Sequence, residues 1–266
     1  MKNFQFIFLG TGAADWAYHP QGDLKFDRGS KLRRTSSLWI NGHILIDPAP
    51  EAFFFAKNVL KLDLSQLTDI FLTHSHEDHF DREALSNFIL EAEGKVHFFC
   101  HESMVPYLQL DKETLCRTEL RPLKVQKPVM LDELQVMPLA ANHEVAMVME
   151  APLHYEFELG GERILYGCDG GWFLAGTWSY LMGRDLDAVI LDATVGDYAD
   201  DFRIASHNTL PMIRMLLPAM KRNHVLKENG SVILSHFART LHDSIEETEV
   251  KLKAEGMICA FDGMVL

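Results

Sequence analysis

The sequence predicts an α/β fold whose strands end in metal-type side chains along one edge. Short apolar runs of strand length recur, among them Phe4 to Leu9, Asp69 to Thr73, Val96 to Cys100 and Ala188 to Leu191. Segments with helical spacing or helix-capping residues lie between them. Six of the strands run straight into an aspartate or histidine: Asp47, the loop from His74, His143, Asp169, Asp192 and His236. Six such endings in an alternating chain imply side chains converging along one edge of a sheet or sandwich.

Composition narrows the function classes. With 266 residues and 47% hydrophobic content, the chain is read as a single domain, 1–266, with ample core. A net charge of -13 repels nucleic-acid backbones, so a long polyanion is not the expected partner. No run approaches the roughly 18 apolar residues of a spanning helix, and the apolar start is too short for a signal segment. Cysteines 100, 116, 168 and 259 form no Cys-x-x-Cys pair and read as reduced thiols of a cytoplasmic protein.

Taken in order, Phe4 to Leu9 is a strand closed by the tight turn Gly10-Thr11-Gly12. A phosphate cradle there is the weaker reading, since neither G-x-G-x-x-G nor G-K-[ST] follows. Residues 15–34 form a polar connector with a local excess of Lys and Arg. Ser36 to Ile40 and Ile44 to Ile46 read as a hairpin about Asn41-Gly42. Ala52 to Leu62 and Asp81 to Ala92 read as helices, and residues 101–130 are uninformative. A strand from Leu134, a hairpin about Gly160-Gly161 and the Ala188 strand follow. Cys168 is expected to face a packed layer and Asp169 the opposite side, because strand side chains alternate. Thr209 N-caps a helix that Pro218 should kink or end. After a strand at Val232 to Leu234, Ser244-x-x-Glu247 is a capping box, its helix stops at Gly256, and Met257 to Phe261 is the last strand.

The densest chemistry is Thr73-His74-Ser75-His76-Glu77-Asp78-His79. On an extended loop His74 and His76 point the same way, so both imidazoles can grip one cation, and Asp78 and His79 can face a second. Asp47, at the end of a buried strand, needs donors that the histidine loop could supply; capping its own turn is the competing role.

These motifs, in this order, resemble the metallo-β-lactamase superfamily of metallohydrolases over nearly the whole chain. The resemblance implies a four-layer αββα sandwich. It implies two divalent cations, Zn2+ or Mn2+: His74, His76 and His143 on one, Asp78, His79 and His236 on the other, and Asp169 bridging. Asp47 and Asp192 receive no ligand role. Three stretches look like the branch of cyclic-phosphate phosphodiesterases and tRNA 3′-processing nucleases: Phe8 to Gly12, Arg33-Arg34-Thr35-Ser36-Ser37 and Ser206-His207-Asn208. The clustered cysteines of the cyclic-phosphate enzyme are missing from residues 13–32, and Phe80-Asp81-Arg82 stands where many relatives have a glycine.

The leading expectation is a dinuclear phosphodiesterase acting on a small cyclic or phosphodiester substrate by attack of metal-activated hydroxide. Asp78 and His207 are its catalytic residues, and Arg33, Arg34 and His207 bind the substrate phosphate. Lactone, thioester or β-lactam hydrolysis on the same centre, a tRNA-processing nuclease and a non-catalytic sensor are the alternatives. The expected partner is a small phosphorylated molecule rather than a membrane or nucleic acid; a homodimer stays open.

Overall fold

The computed structural model describes residues 1–16, 32–145, 150–198 and 200–266. The connector charges Lys25, Arg28, Lys31, Asp23 and Asp27 lie outside them. Contacts divide the chain into two compact units. The first is Phe4–Lys124, Val145–Ala151 and Phe261–Leu266; the second is Met1–Asn3, Val125–Glu144 and Pro152–Ala260. Each contains one sheet, which establishes the α/β class.

In the first unit β1 (Phe6–Gly10), β2 (Ser37–Ile40), β3 (Ile44–Ile46), β4 (Asp69–Phe71), β5 (Val96–His101) and β6 (Thr118–Leu123) stand side by side in chain order. β1 to β3 form an antiparallel meander, and from β3 onward neighbours are parallel. The Asn41-Gly42 turn has the positive φ at both positions (51° and 79°) that a tight hairpin demands. Gly10 is required where β1 ends, because a Cβ there would lie 1.9 Å from the Thr35 carbonyl oxygen. The predicted helix at Ala52 is a short α-turn, α1 (Ala52–Phe54), that widens into a π-helical turn over Phe55–Val59. α2 (Arg82–Glu91) is N-capped by Asp81, whose carboxylate accepts the Ala84 amide, and it buries Leu85, Phe88 and Ile89 in a core with Trp39, Ile70 and Phe98.

The elements that escaped the sequence reading in 101–130 include a 3-10 turn at Glu102–Tyr107, α3 (Lys112–Arg117) and β6. β6 is an edge strand with a largely solvated side-chain pattern and Pro122 within it, so it lacks the apolar alternation by which strands are recognised.

A buried polar network ties the ends of this unit together. Asp262 accepts from Thr11 Oγ1 and the Arg34 amide, both at 2.7 Å, and pairs with Arg34 Nη1 at 3.3 Å. Arg33 Nη1 donates to Thr11 Oγ1 at 2.6 Å, and Arg34 also lies over the Phe55 ring, 4.0 Å from its centroid. The amides of Thr11 and Gly12, which a phosphate cradle would need, both donate to the Arg34 carbonyl.

The second unit repeats the same grammar in reverse. β7 (Val129–Leu131), β8 (Leu134–Ala140), β9 (Leu153–Leu159) and β10 (Glu162–Gly167) are antiparallel; β11 (Leu186–Asp192), β12 (Leu226–Ser235) and β13 (Ile258–Cys259) continue from β10 in parallel. Parallel strands need crossovers, supplied by α4 (Ala175–Leu181), α5 (Leu210–Arg222) and α6 (Ile245–Ala254). Thr209 caps α5, and both bonds of the Ser244–Glu247 capping box open α6. Pro218 does not end α5, which continues to Arg222: the buried face of Leu210, Ile213, Leu216 and Met220 outweighs one missing backbone bond. No helix among the described residues is long and apolar enough to cross a membrane.

Replacing Asp262 by alanine would remove the carboxylate that pairs with the part-buried Arg34 guanidinium and accepts the Thr11 hydroxyl. Urea unfolding of Asp262→Ala is expected to show a loss of about 3–5 kcal/mol, the usual consequence of breaking a buried ion pair from one side.

Candidate metal centre

In the first unit, β3 and β4 are parallel neighbours, so their C-terminal ends meet. Asp47 follows β3, and the histidine loop follows β4. Asp47 is fully buried. Its Oδ1 accepts the Thr73 amide at 2.7 Å; its Oδ2 accepts the Thr73 hydroxyl at 2.8 Å and His79 Nδ1 at 2.8 Å. A carboxylate only accepts, so His79 carries its proton on Nδ1 and Nε2 is the nitrogen able to accept. The Thr73 hydroxyl proton is committed to Asp47, so His74 Nδ1, 3.0 Å away, must donate to that oxygen. His74 thereby also presents Nε2. Burial pushes the Asp47 pKa up, against His79 and Thr73, which lower it. Ser75 turns the opposite way and donates to Glu150.

The second unit uses the same device. Asp192 ends β11; its Oδ1 accepts the Thr194 amide at 3.0 Å and its Oδ2 the Thr194 hydroxyl at 2.8 Å. His236, after the parallel neighbour β12, then donates from Nδ1 to Thr194 Oγ1 at 2.7 Å and presents Nε2. His143, beyond β8, donates from Nδ1 to the Ser206 carbonyl at 3.1 Å and presents Nε2 as well. Asp169, beyond β10, receives both: His143 Nε2 and His236 Nε2 stand 3.3 and 3.4 Å from its Oδ2.

His207 sits beside this group with Nδ1 at 2.8 Å from Asp169 Oδ1 and 3.1 Å from Asp192 Oδ2. Burial opposes its charge, but the two carboxylates outweigh burial and hold its pKa up at about 10. Asp192 goes the other way: desolvation would raise it, and His207 and His236 bring it well below the ordinary carboxylate value.

The donors fit a divalent cation. At Zn–N distances of about 2.0–2.1 Å, two nitrogens of a tetrahedral site lie roughly 3.4 Å apart. His74 Nε2 and His76 Nδ1 are 3.0 Å apart, and the histidine to Asp169 separations above match that ligand spacing. One potential ligand atom from each of Asp169, Asp192, His207 and His236 falls within 4.8 Å of the others.

The structure therefore groups His74, His76 and His79 on one loop, with Asp78 Oδ2 3.7 Å from His79 Nε2, and His143, Asp169, His207 and His236 in the other unit. Arg33 and Arg34 do not join either group; their guanidinium groups are engaged with Thr11 and Asp262, and Arg33 is only 5% exposed. Sequence reasoning left Asp47 and Asp192 without settled roles and missed Thr194. The pairing of Asp with Thr recurs in space only, across 26 residues in one unit and two in the other, so the sequence carried no signal for it.

A sequence profile described as a beta-lactamase superfamily domain matches residues 43–237. None of the curated proteins compared with the chain matches it significantly. Among solved structures, a new diphosphatase from the PhnP family is 20% identical, with a TM-score of 0.73 over 99% of this chain and 96% of that one. The short form of human tRNase Z is 16% identical, with a TM-score of 0.65 over 98% of both chains. Yeast PDE1 is 14% identical, with a TM-score of 0.67 over 100% and 99%. At these identities the likeness is one of fold.

The raised His207 pKa sets a pH signature. A histidine raised in the folded state contributes stability that is complete below its ordinary 6.5 and is lost as pH rises toward about 10. In chelator-treated protein the urea midpoint is expected to fall across that window, and His207→Gln to remove most of the fall. An undiminished fall in the variant would contradict the pairing with Asp169 and Asp192.

Proposed function

The chain belongs to the beta-lactamase superfamily, as a metal-dependent hydrolase of the metallo-β-lactamase fold, and from that premise we propose that it is a dinuclear phosphodiesterase acting on a small phosphodiester or cyclic phosphate. The proposed ligands, which would hold two zinc or manganese ions, are His74, His76, Asp78, His79, His143, Asp169 and His236. Bound divalent cations would supply Lewis-acid charge to the phosphoryl oxygens and lower the pKa of a water.

The observation that carries the reading is His207. It is an imidazole beyond the ligand set, held by Nδ1 between two carboxylates and packed 4.9 Å, ring to ring, from His143. With Nδ1 fixed, Nε2 is the nitrogen that can give a proton. Hydrolysis joins a water oxygen to phosphorus and breaks the bond to the leaving oxygen. The attacking water gives up one proton to solvent, the leaving oxygen takes the His207 proton, and solvent reprotonates His207. Asp78 is the proposed catalytic carboxylate beside His79. The acidic chain favours a small substrate over a polynucleotide. The diphosphatase and tRNase named among similar folds support phosphorus as the electrophile. Four cysteines outside any disulfide accord with a reducing, cytoplasmic setting.

Because Arg33 and Arg34 have internal partners, they no longer separate phosphoryl from acyl substrates, and the lactone and thioester reading competes on equal terms at that point. The protein reloaded with zinc or manganese is expected to hydrolyse bis-p-nitrophenyl phosphate or a cyclic nucleotide, to lose that activity to a chelator and to regain it with metal. His207→Ala should lower kcat by about 10²–10⁴. Turnover of lactones or thioesters with phosphodiesters untouched would overturn the assignment.

A further inference from the structure

The loop bearing Asp169 is tied down through its backbone at three consecutive residues, all by groups of the second unit. The Asp169 carbonyl accepts His154 Nε2 at 3.1 Å, the Gly170 carbonyl accepts Asn208 Nδ2 at 3.1 Å, and the Gly171 amide donates to the Asn142 carbonyl at 2.9 Å. Asn142 precedes His143, and its Nδ2 reaches the Ala205 carbonyl at 3.3 Å. Asn208 follows His207, and its own amide donates to Asp192 Oδ1 at 2.9 Å. The loop is thus cross-braced to the chain on either side of it.

His154 is the member whose identity a packing role does not account for. It is fully buried on β9, edge-on to Phe173 with ring centroids 5.9 Å apart, and its Nδ1 makes no hydrogen bond among the described residues. A leucine or phenylalanine would fill that space without an unsatisfied ring nitrogen, and would differ from histidine in leaving the Asp169 carbonyl without this donor. What the imidazole adds is the Nε2–H bond to Asp169, and a carbonyl acceptor fixes that tautomer. Burial pushes its pKa down to about 4, so the ring stays neutral near pH 7 and the bond does not switch. Gly170 is the complement, since a Cβ there would lie 2.8 Å from His154 Nε2 and drive the ring off its acceptor.

We propose that His154, supported by Asn208 and Asn142, is a positioning residue that holds Asp169 between His143 and His236, so that this cluster is arranged before a cation binds. The proposal rests on the metal-ligand reading of Asp169 and is independent of which bond is hydrolysed.

The test is zinc affinity of the full-length, chelator-stripped protein, measured by competition with a chromophoric chelator, alongside the thermal midpoint. His154→Leu keeps the volume and removes the donor; it is expected to weaken the affected zinc equivalent about 10–100-fold, as loss of a ligand-orienting partner does. His154→Gln, whose amide can donate to the same carbonyl, should recover most of that loss at a similar thermal midpoint. Unchanged zinc affinity in His154→Leu, or equal loss in both variants with a common drop in midpoint, would reduce His154 to a core residue and overturn the proposal. Should His154→Leu not fold, Asn208→Ala carries the same comparison, with weakened zinc binding expected and unchanged binding overturning it. Failure of the wild type on every phosphodiester would sink the proposed function and leave these affinities to be judged by themselves.

Discussion

Each unit depends on one buried carboxylate that decides which nitrogen its histidines offer. Asp47 and Asp192 use their oxygens identically: Oδ1 takes a threonine amide and Oδ2 the hydroxyl of the same threonine. The hydroxyl proton being used, each threonine oxygen can only accept from the next imidazole. Removing such a carboxylate from water costs several kcal/mol, recovered only when its oxygens are well bonded. Four donors on Asp192 meet that condition, whereas on Asp47 burial still outweighs its three donors and holds the pKa up; the same bonds fix the tautomers of His74, His79 and His236. Stability and ligand orientation are therefore one set of interactions.

The sheets make this possible by bringing strand ends together. β3 with β4, and β10 with β11 and β12, run parallel, so residues that are distant in sequence leave their sheet at the same edge. At those exits the chain must turn sharply. Asp47 (φ 58°) and His236 (φ 61°) are both left-handed, a conformation that non-glycine residues adopt at some cost and that clusters where function demands it. The strain is borne by residues already locked by hydrogen bonds.

Much of this was legible in the sequence, and the limits have physical causes. The histidine loop announced itself because its ligands are local and strand periodicity orients them. The Asn-Gly hairpin, the Thr209 cap and the Ser244 capping box were readable for the same reason. The role of Asp192 was not, because the meaning of a buried acid lies in what surrounds it. Arg34 shows the converse: its place beside a glycine turn is visible in the sequence, but its partner, Asp262, lies 228 residues further on. A count of charges cannot tell a solvated cation from one half of a buried pair. β6 was missed because an edge strand has no need of an apolar face on both sides.

The charges of the second unit also fit a cation without reference to any relative. Asp169 and Asp192 are buried carboxylates, and a protonated His207 is the one full positive charge among the side chains shown bonded to them. His236 and His143, each holding its proton on Nδ1, face Asp169 with the lone pair of Nε2, so they add electron density to the cluster. Lone pairs 3.3 and 3.4 Å from a carboxylate oxygen repel one another unless a proton or a metal lies among them. Protons would satisfy the contacts singly, each adding a charge that burial disfavours. One divalent cation would satisfy several at once and neutralise the carboxylates, so the arrangement fits a cation better than it fits a set of separate protons.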